Sequence, residues 1–321
     1  MKKNIFIAVL IAMALALPLL VSVKYYIHLA VLAMIWAIVA QGTNLIQGYT
    51  GYVSIVQGGF MGVGAYLSAL MSMKLGVPVW VSLLIAPVLT GVLAVVAGYP
   101  SLRVKGHYFA IVTMAYNMVI FIVLINAIEI TGGESGLSRI PAPTGFSLGG
   151  LEVDFMNRGH YYYLVLAMLL ICTLAAGWMV RSRTGRIWQA IRQNENYAEA
   201  LGVACWRYKL LAFVVSAMFA GFAGGLYAHY VGFLNPSPFS VDASMNAILA
   251  VILGGSATLS GPIVGALLVV ALPELLRVAE TFRFIAYGVL LILAMIYFPR
   301  GLVPMVGAAY DKLFTNKTAG K

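Results

Sequence analysis

The chain has 321 residues, of which 62% are hydrophobic and only 9% are charged. Soluble domains contain about 45–50% apolar and about 25% charged residues, so this composition excludes a soluble globular protein and indicates that lipid surrounds most of the chain. The net charge of +10 does not indicate a nucleic-acid-binding protein, because the basic residues lie in short stretches between apolar runs, as in membrane loops.

Ten apolar segments follow one another along the chain. Each is predicted to be an α-helix, because backbone polar groups within lipid must be satisfied inside their own segment. Eight of them are long enough for a bilayer crossing, which takes about 20 residues; they lie near 4–23, 27–46, 53–73, 79–98, 107–127, 160–180, 208–230 and 283–298. The predicted fold class is therefore an all-α polytopic membrane helix bundle.

The first segment and two late ones need separate interpretation. Residues 4–23 follow two lysines as a signal peptide would, but no clear cleavage site precedes Lys24, which favours a retained first helix. The segments 243–254 and 262–276 are short, and a glycine-rich stretch that ends at Pro262 separates them. They are interpreted either as two short tilted helices or as one re-entrant hairpin.

The predicted organisation is one membrane domain, 1–298, and a cytoplasmic tail, 299–321. Two long loops interrupt the spans, at about 128–159 and 181–207. With a cytoplasmic amino terminus, fourteen of the 20 lysines and arginines lie on the cytoplasmic side, against three acidic residues. This asymmetry predicts that both termini and the loop 181–207 are cytoplasmic, that the loop 128–159 is periplasmic, and that the chain lies in a bacterial inner membrane.

Glycines recur at a spacing of four residues within three apolar segments. Such pairs let two helix backbones approach closely, which favours helix association in lipid. The pairs are Gly58 with Gly62, Gly221 with Gly225, and Gly261 with Gly265. Close helix packing is the predicted role, and a flexible gate is the functional alternative.

No catalytic or metal-binding centre is predicted, so the chain is not expected to be an enzyme. The sequence contains no Gly-Lys-Ser or Gly-Lys-Thr at the end of a glycine-rich turn, which a nucleotide-binding loop of that kind requires. The four histidines are scattered at the edges of the spans and suggest neither a metal site nor a nucleophilic centre. Carboxylates are missing from the middle of the spans, which argues against a proton- or sodium-coupled mechanism.

Uncharged polar residues do lie within the apolar segments. Thr113 and Asn117 share one helix face at i and i+4, while Gln57 and Asn246 lie in other segments. Two interpretations remain open. The side chains either form hydrogen bonds between helices or line the translocation path of a polar solute.

The loop 181–207 carries a helical pattern of its own. Apolar residues recur there at helical spacing, which predicts an amphipathic helix. Asn194 is placed to cap a second short helix with Glu195 in its first turn, and Gly202 is placed to end that helix in a left-handed conformation. Such a helical pair suits docking into a groove of a partner protein, and the alternative is an interfacial helix that rests on anionic lipid.

Several stretches of the chain resemble a known family. Glu199-Ala200 and Gly202 are similar to the Glu-Ala-Ala…Gly signature of the cytoplasmic coupling segment in permeases of ATP-binding-cassette importers. The surrounding sequence resembles the branched-chain amino acid permeases over residues 27–298, in four motifs that follow in the right order: 102–113, 131–137, 208–227 and 254–262. The resemblance is to the M-type rather than the H-type membrane subunit of that family.

The resemblance implies a permease subunit that pairs with a homologous permease and two cytoplasmic ATPase subunits. A periplasmic binding protein would deliver leucine, isoleucine or valine to the outer loops. The chain itself would hold no cofactor, because the ATPase subunits bind ATP and magnesium. The residues assigned to ATPase coupling are Arg186, Arg192, Glu195, Ala198, Glu199 and Gly202.

Three alternatives remain beside this function. At Tyr116-Asn117-Met118 the chain departs from many relatives, so the same scaffold could import urea, amides or aromatic acids instead. A stand-alone ion-coupled carrier or channel would transport its solute without ATPase subunits. A polytopic membrane enzyme would need acid–base or metal groups of the kind that the spans lack.

Overall fold

The computed structural model describes residues 24–104, 106–148, 151–275 and 301–305, together with isolated positions at 15, 18, 288–289, 292–293 and 296–297. The predicted helices at 4–23 and 283–298 lie almost entirely outside the described residues, as does most of the predicted tail, 299–321.

Helices make up most of the described chain. They are α1 (Lys24–Thr43), α2 (Gln57–Lys74), α3 (Val79–Ser101), α4 (His107–Asn126), α5 (Ile128–Thr131), α6 (Arg158–Arg181), α7 (Arg183–Gln193), α8 (Glu195–Ala200), α9 (Cys205–Val231), α10 (Val241–Gly254) and α11 (Gly261–Leu275). A π-helical turn, Asn44–Tyr49, continues α1. Five elements are long and apolar enough to cross a membrane, namely α1 with its π-helical turn, α3, α4, α6 and α9. The prediction of an all-α membrane bundle is confirmed.

Within the described ranges, four short strands lie in the connections: β1 (Leu137–Ser138), β2 (Phe146–Leu148), β3 (Leu151–Val153) and β4 (Phe233–Leu234). Strand β1 pairs antiparallel with β4, so that Leu137 lies opposite Leu234, and β2 pairs antiparallel with β3. The β1–β4 pair ties the long loop between α4 and α6 to the segment that follows α9. These strand pairs satisfy backbone N–H and C=O groups of residues that are not helical.

The two ends of the bundle differ in what they carry. We call the end with β1 and β4 the loop end, and the end with α7 and α8 the basic end. The side chain of His28 in α1 meets Tyr230 near the loop end, whereas Gly48 after α1 meets Arg192 of α7 at the basic end. Helices α1, α3 and α6 therefore run from the loop end to the basic end, and α2, α4 and α9 run the other way.

Helix α2 lies at the centre of the bundle. It packs most extensively against α9, and also against α3, α4 and α10. Eleven of its 18 residues are buried, and glycines among them allow the close approach of its neighbours. The predicted segment 53–73 begins too early, because residues 51–56 are not helical and α2 starts only at Gln57. The N–H of Ile55 donates to the Thr113 hydroxyl at 3.0 Å instead of forming a helical bond.

Helix α2 also begins in the interior of the bundle. Its Gly59 contacts Asn117, which lies at the middle of α4. The non-helical residues 51–56 therefore lead from the basic end to this depth. Helix α10 begins beside it, since Ser244 in its first turns accepts a hydrogen bond from the Gly58 N–H at 2.8 Å. Non-helical backbone at such depth is tolerated only where protein or a watery cavity surrounds it.

Helices α10 and α11 fold back on each other as a hairpin of 14 and 15 residues. At about 1.5 Å per residue, each is shorter than a bilayer core of about 30 Å. The tip of the hairpin lies against α1, because both atoms of the Asn44 amide bond its backbone. Nδ2 donates to the Thr258 carbonyl at 2.8 Å, and Oδ1 accepts from the Ala257 N–H at 2.9 Å. The two short helices are paired as a hairpin, an arrangement that fits both of the interpretations from sequence.

Candidate functional site

The basic end carries the two short helices that the sequence predicted in the loop 181–207. Asn194 caps α8 as predicted, because its Oδ1 accepts a hydrogen bond from the Tyr197 N–H at 3.2 Å. Glu195 lies in the first turn, where the positive end of the helix favours a carboxylate. Gly202 has φ = +84°, the left-handed conformation that was predicted for the end of α8.

One face of this helical pair is open. Arg186, Glu199 and Gly202 are exposed, three of the residues that the sequence assigned to ATPase coupling. Two apolar side chains lie beside them, Tyr197 at 73% and Leu201 at 85% exposure. Apolar side chains that remain this exposed at the polar end of a membrane protein suit contact with another protein or with lipid headgroups.

The opposite face is anchored to the bundle. Trp188 of α7 is fully buried, and its indole Nε1 donates to the carbonyl of Tyr208 at 2.8 Å. Ile191 of α7, Ala198 of α8 and Cys205 of α9 form a small buried cluster beside it. Ala198 was assigned to ATPase coupling from the sequence, but it points inward, so any part that it takes in coupling is indirect.

Glu195 also points inward and forms a buried ion pair. Its Oε1 lies 2.6 Å from the Nζ of Lys209, and the side chains are only 14% and 3% exposed. The Tyr52 hydroxyl donates to the other oxygen, Oε2, and Lys209 Nζ lies 3.2 Å from the same hydroxyl. Burial, followed by the hydrogen bond to Glu195, raises the pKa of Tyr52, so the phenol stays protonated and remains a donor.

Arg192 bridges α7 and the end of α1. Its guanidinium donates to the carbonyl of Gly48, in the π-helical turn. The carbonyl lies at the end of the π-helical turn, where regular helical bonding stops and side-chain donors can take its place. Arg192 thus joins the loop 181–207 to the same stretch of chain that Tyr52 belongs to.

A polar junction lies deeper, where α2 and α10 begin. Asn117 Oδ1 accepts the Gly59 N–H, and Thr113 Oγ1 accepts the Ile55 N–H, so both predicted path residues cap the broken backbone. Gln57 is fully buried at the same place, and neither atom of its amide has a partner among the described residues. Asn246 of α10 is half-buried and lies two residues beyond Ser244, which bonds Gly58 at the junction. Thr113 and Asn117 thus bond the backbone on either side of Gln57, and Asn246 lies further along α10.

The paired glycines lie in close contact with neighbouring elements. A Cβ on Gly58 would lie 2.7 Å from the carbonyl oxygen of Ser240, and one on Gly62 would lie 2.9 Å from the Phe239 side chain. Likewise, side chains of α3 lie against the other pair, with Thr90 beside Gly221 and Leu83 beside Gly225. In the hairpin, a Cβ on Gly261 or Gly265 would overlap the backbone of α10 or of the tip. These positions have no room for a side chain.

Comparison with known proteins places this bundle in a family. The family described as "Branched-chain amino acid transport system / permease component" matches residues 25–298, which is most of the chain. The chain belongs to that family.

Individual relatives of this permease carry related descriptions. It is similar to the high-affinity branched-chain amino acid transport system permease protein LivM of Escherichia coli K12, with 36% identity over 322 residues, or 95% of this chain and 76% of the relative. The corresponding LivH protein of Escherichia coli K12 is 26% identical over 287 residues, or 84% of this chain and 91% of the relative. The autoinducer 2 import system permease protein LsrC of Klebsiella pneumoniae is 38% identical over 111 residues, or 34% and 31% of the two chains. No solved structure matches the chain.

Sequence reasoning missed two functional candidates of this permease. Tyr52 lies before α2 and belongs to no recognisable sequence motif. Lys209 looks in the sequence like any other basic residue at the end of a predicted cytoplasmic loop. A buried partner could have been suspected for Lys209, because six apolar residues follow it directly within the predicted span 208–230. Nothing in the sequence identifies Glu195 as that partner, since the two residues lie in different helices.

Proposed function

We propose that this permease carries branched-chain amino acids across the membrane as one subunit of an ATP-driven importer. The observation that supports this most strongly is its 36% identity to LivM along 95% of its length. The exposed face of α7 and α8 fits the same function, because a protruding helical pair is suited to docking into a groove of a motor subunit.

The importer would contain several further chains. Similarity to LivH over 84% of the chain supports a homologous permease as the second membrane subunit. Two cytoplasmic ATPase subunits would bind ATP and magnesium, and α7 with α8 would contact one of them. A periplasmic binding protein would deliver leucine, isoleucine or valine at the loop end.

We further propose an orientation for the chain in the membrane and a helical conformation for all ten predicted segments. The basic end would face the cytoplasm and the loop end the periplasm, which supports cytoplasmic termini in a bacterial inner membrane. All ten predicted segments would then be helical, with the α10–α11 hairpin entering from the periplasmic side and its tip at the cytoplasmic side.

The translocation path would pass the polar junction of Gln57, Thr113 and Asn117, with Asn246 beside it. Two helices begin there in the interior, and the Gln57 amide has no partner among the described residues. A polar solute could form hydrogen bonds at this point with groups that the bundle already keeps apart from lipid. LsrC, which is similar to part of this chain, belongs to an autoinducer 2 import system, so related permeases import different solutes. Urea, amides and aromatic acids are therefore tested alongside the amino acids.

Reconstitution tests this function directly. The permease, its partner permease, the ATPase subunits and the solute-loaded binding protein are placed in liposomes with ATP, and uptake of labelled leucine, urea and benzoate is compared. Leucine uptake that needs every subunit is expected. Uptake by the permease alone would instead identify a carrier or channel, and uptake of urea or benzoate alone would identify another solute.

Two variants of Gly202 test the docking assignment. Valine at φ = +84° is strained, by roughly 1–2 kcal/mol, whereas asparagine tolerates this conformation. Gly202→Val is therefore expected to lower both ATPase binding and uptake, and Gly202→Asn to retain them. Equal binding and uptake in both variants would contradict a docking role for the end of α8.

A further inference from the structure

Besides the contacts of Trp188 and Ala198, the loop 181–207 (the coupling loop) is joined to the bundle by two neighbouring polar attachments. Arg192, in the last turn of α7, donates to the Gly48 carbonyl, and its Cγ lies 3.3 Å from the position of a Cβ on Gly51. Glu195, in the first turn of α8, bonds Tyr52. Both attachments therefore hold the short stretch 48–52, which leads from the end of the π-helical turn to the non-helical segment before α2. We call this stretch the hinge.

The second attachment joins three elements at once. Glu195 belongs to α8, Tyr52 to the segment before α2, and Lys209 to α9, and each of the three side chains contacts both of the others. The Lys209 Nζ also lies 4.6 Å from the centre of the Tyr52 ring, within cation–π distance. A closed triangle of this kind fixes the relative position of all three elements more tightly than a single contact does.

Aromatic rings continue from this triad towards α2. The Tyr52 ring meets Phe109 edge-on at 5.5 Å, Phe109 meets Phe213 at 5.8 Å, and Phe213 meets Phe60 at 5.5 Å. All three phenylalanines are fully buried. Because close-packed interiors yield little under load, a displacement of Tyr52 reaches Phe60 in the first turn of α2.

The backbone makes the same connection by a second route. Only residues 53–56 separate Tyr52 from Gln57, where α2 begins. The hydrogen bonds from Ile55 to Thr113 and from Gly59 to Asn117 hold this stretch against α4. Movement of the hinge would therefore act on the polar junction through which the solute is proposed to pass.

We propose that Glu195, Tyr52 and Lys209 are positioning residues that transmit the movement of α7 and α8 to the start of α2. This inference rests on the proposed function, because it requires an ATPase that moves the two helices. Directed hydrogen bonds resist both pushing and pulling, whereas close-packed apolar contacts resist only pushing. A buried ion pair is seldom needed for stability alone, since apolar residues of similar size often stabilise a fold equally well.

Tyr52→Phe is the sharpest test, since it removes the bridging hydroxyl and keeps the ring stack with Phe109. The complete importer is reconstituted, and leucine uptake and ATP hydrolysis are measured in the same vesicles. Leucine uptake per ATP is expected to fall about fivefold or more, a usual size for coupling between sites. Tyr208→Phe is the matched control, because it removes the hydroxyl of a neighbouring tyrosine that lies outside the triad. An unchanged ratio in Tyr52→Phe would overturn the inference.

A double variant separates coupling from folding. Glu195→Leu combined with Lys209→Met replaces the ion pair by apolar side chains, so the fold and the binding of the ATPase are expected to persist while uptake per ATP falls as in Tyr52→Phe. Normal coupling in the double variant would also overturn the inference. If the wild-type chain neither binds the ATPase nor supports ATP-dependent uptake, the proposed function fails instead, and the two failures are distinguishable.

Discussion

Helices α2 and α4 lie side by side, yet their surroundings differ sharply. Eleven of the 18 residues of α2 are buried, on all sides of the helix. Only four of the 20 residues of α4 are buried, and they form one stripe: Phe109, Thr113, Asn117 and Leu124. Most of the other residues of α4 are apolar and exposed or only partly buried, as in a helix that faces lipid or another subunit.

The comparison shows that a helix with high hydropathy is not necessarily the one at the centre of the bundle. Helix α4 qualifies as a membrane-crossing helix and α2 does not, although α2 is the centre of the bundle. A surface in contact with lipid must be apolar, because lipid offers no hydrogen bonds. A helix that protein surrounds can instead carry glycines for close packing and polar groups that bond its neighbours. The least hydrophobic span is thus the best place to look for function.

The largest effect is expected where α2 meets α9. A Cβ on Gly224 of α9 would overlap the carbonyl oxygen of Met61 in α2, a backbone atom that cannot move without the whole helix. Gly224→Ala is therefore expected to destabilise the protein by about 3 kcal/mol, at the upper end for overpacking. The loss would be measured as a lower midpoint of thermal unfolding in detergent.

Gly159→Ala provides the matched control for that variant. The same methyl group at Gly159, in the first turn of α6, would lie 3.5 Å from Asn157 Oδ1, an ordinary contact. Little change in the unfolding midpoint is expected. Equal unfolding midpoints for the two alanine variants would show that α2 and α9 have room for a methyl group between them. The centre of the bundle would then be no more tightly packed than its periphery.

A smaller effect is expected on the stripe that α4 presents to α2. Asn117→Leu removes the oxygen that accepts the Gly59 N–H and leaves that donor buried without a partner, at a cost of about 2 kcal/mol. Asn126→Leu on the same helix removes an amide that is exposed and bonds only Ile122 of its own helix, so stability should hardly change. The same pair of variants, assayed for leucine uptake, would show whether the junction also matters for transport.

Much of this fold follows from the sequence, because lipid imposes simple requirements. The described helices agree with the predicted segments to within a few residues wherever lipid or a loop bounds them, as for α3, α4 and α6. The prediction failed at the start of α2, where residues 51–56 are as apolar as their neighbours but not helical. Their backbone is bonded by Thr113, which lies in a distant part of the sequence. Local patterns carry no information about such a partner.

The candidate site divides in the same way. The cap by Asn194 and the stop at Gly202 were predictable, since both depend on residues within a few positions. The inward position of Glu195 was not, because a charged residue next to a helix cap is expected to be solvated unless a buried partner exists. That partner, Lys209, is supplied by the fold of α9 back against α8.

The smallest effect is expected on the exposed face of α4. Val119 is 56% exposed and points away from α2, so Val119→Ala should change the stability of the isolated permease by no more than about 0.5 kcal/mol. The same variant is then measured in the assembled importer. A second permease that packs on this face would make the valine buried there, and truncation would weaken the complex although it leaves the single chain intact. An effect in the complex alone would therefore show that another subunit packs against this face of α4. No effect in either state would show that the face contacts lipid.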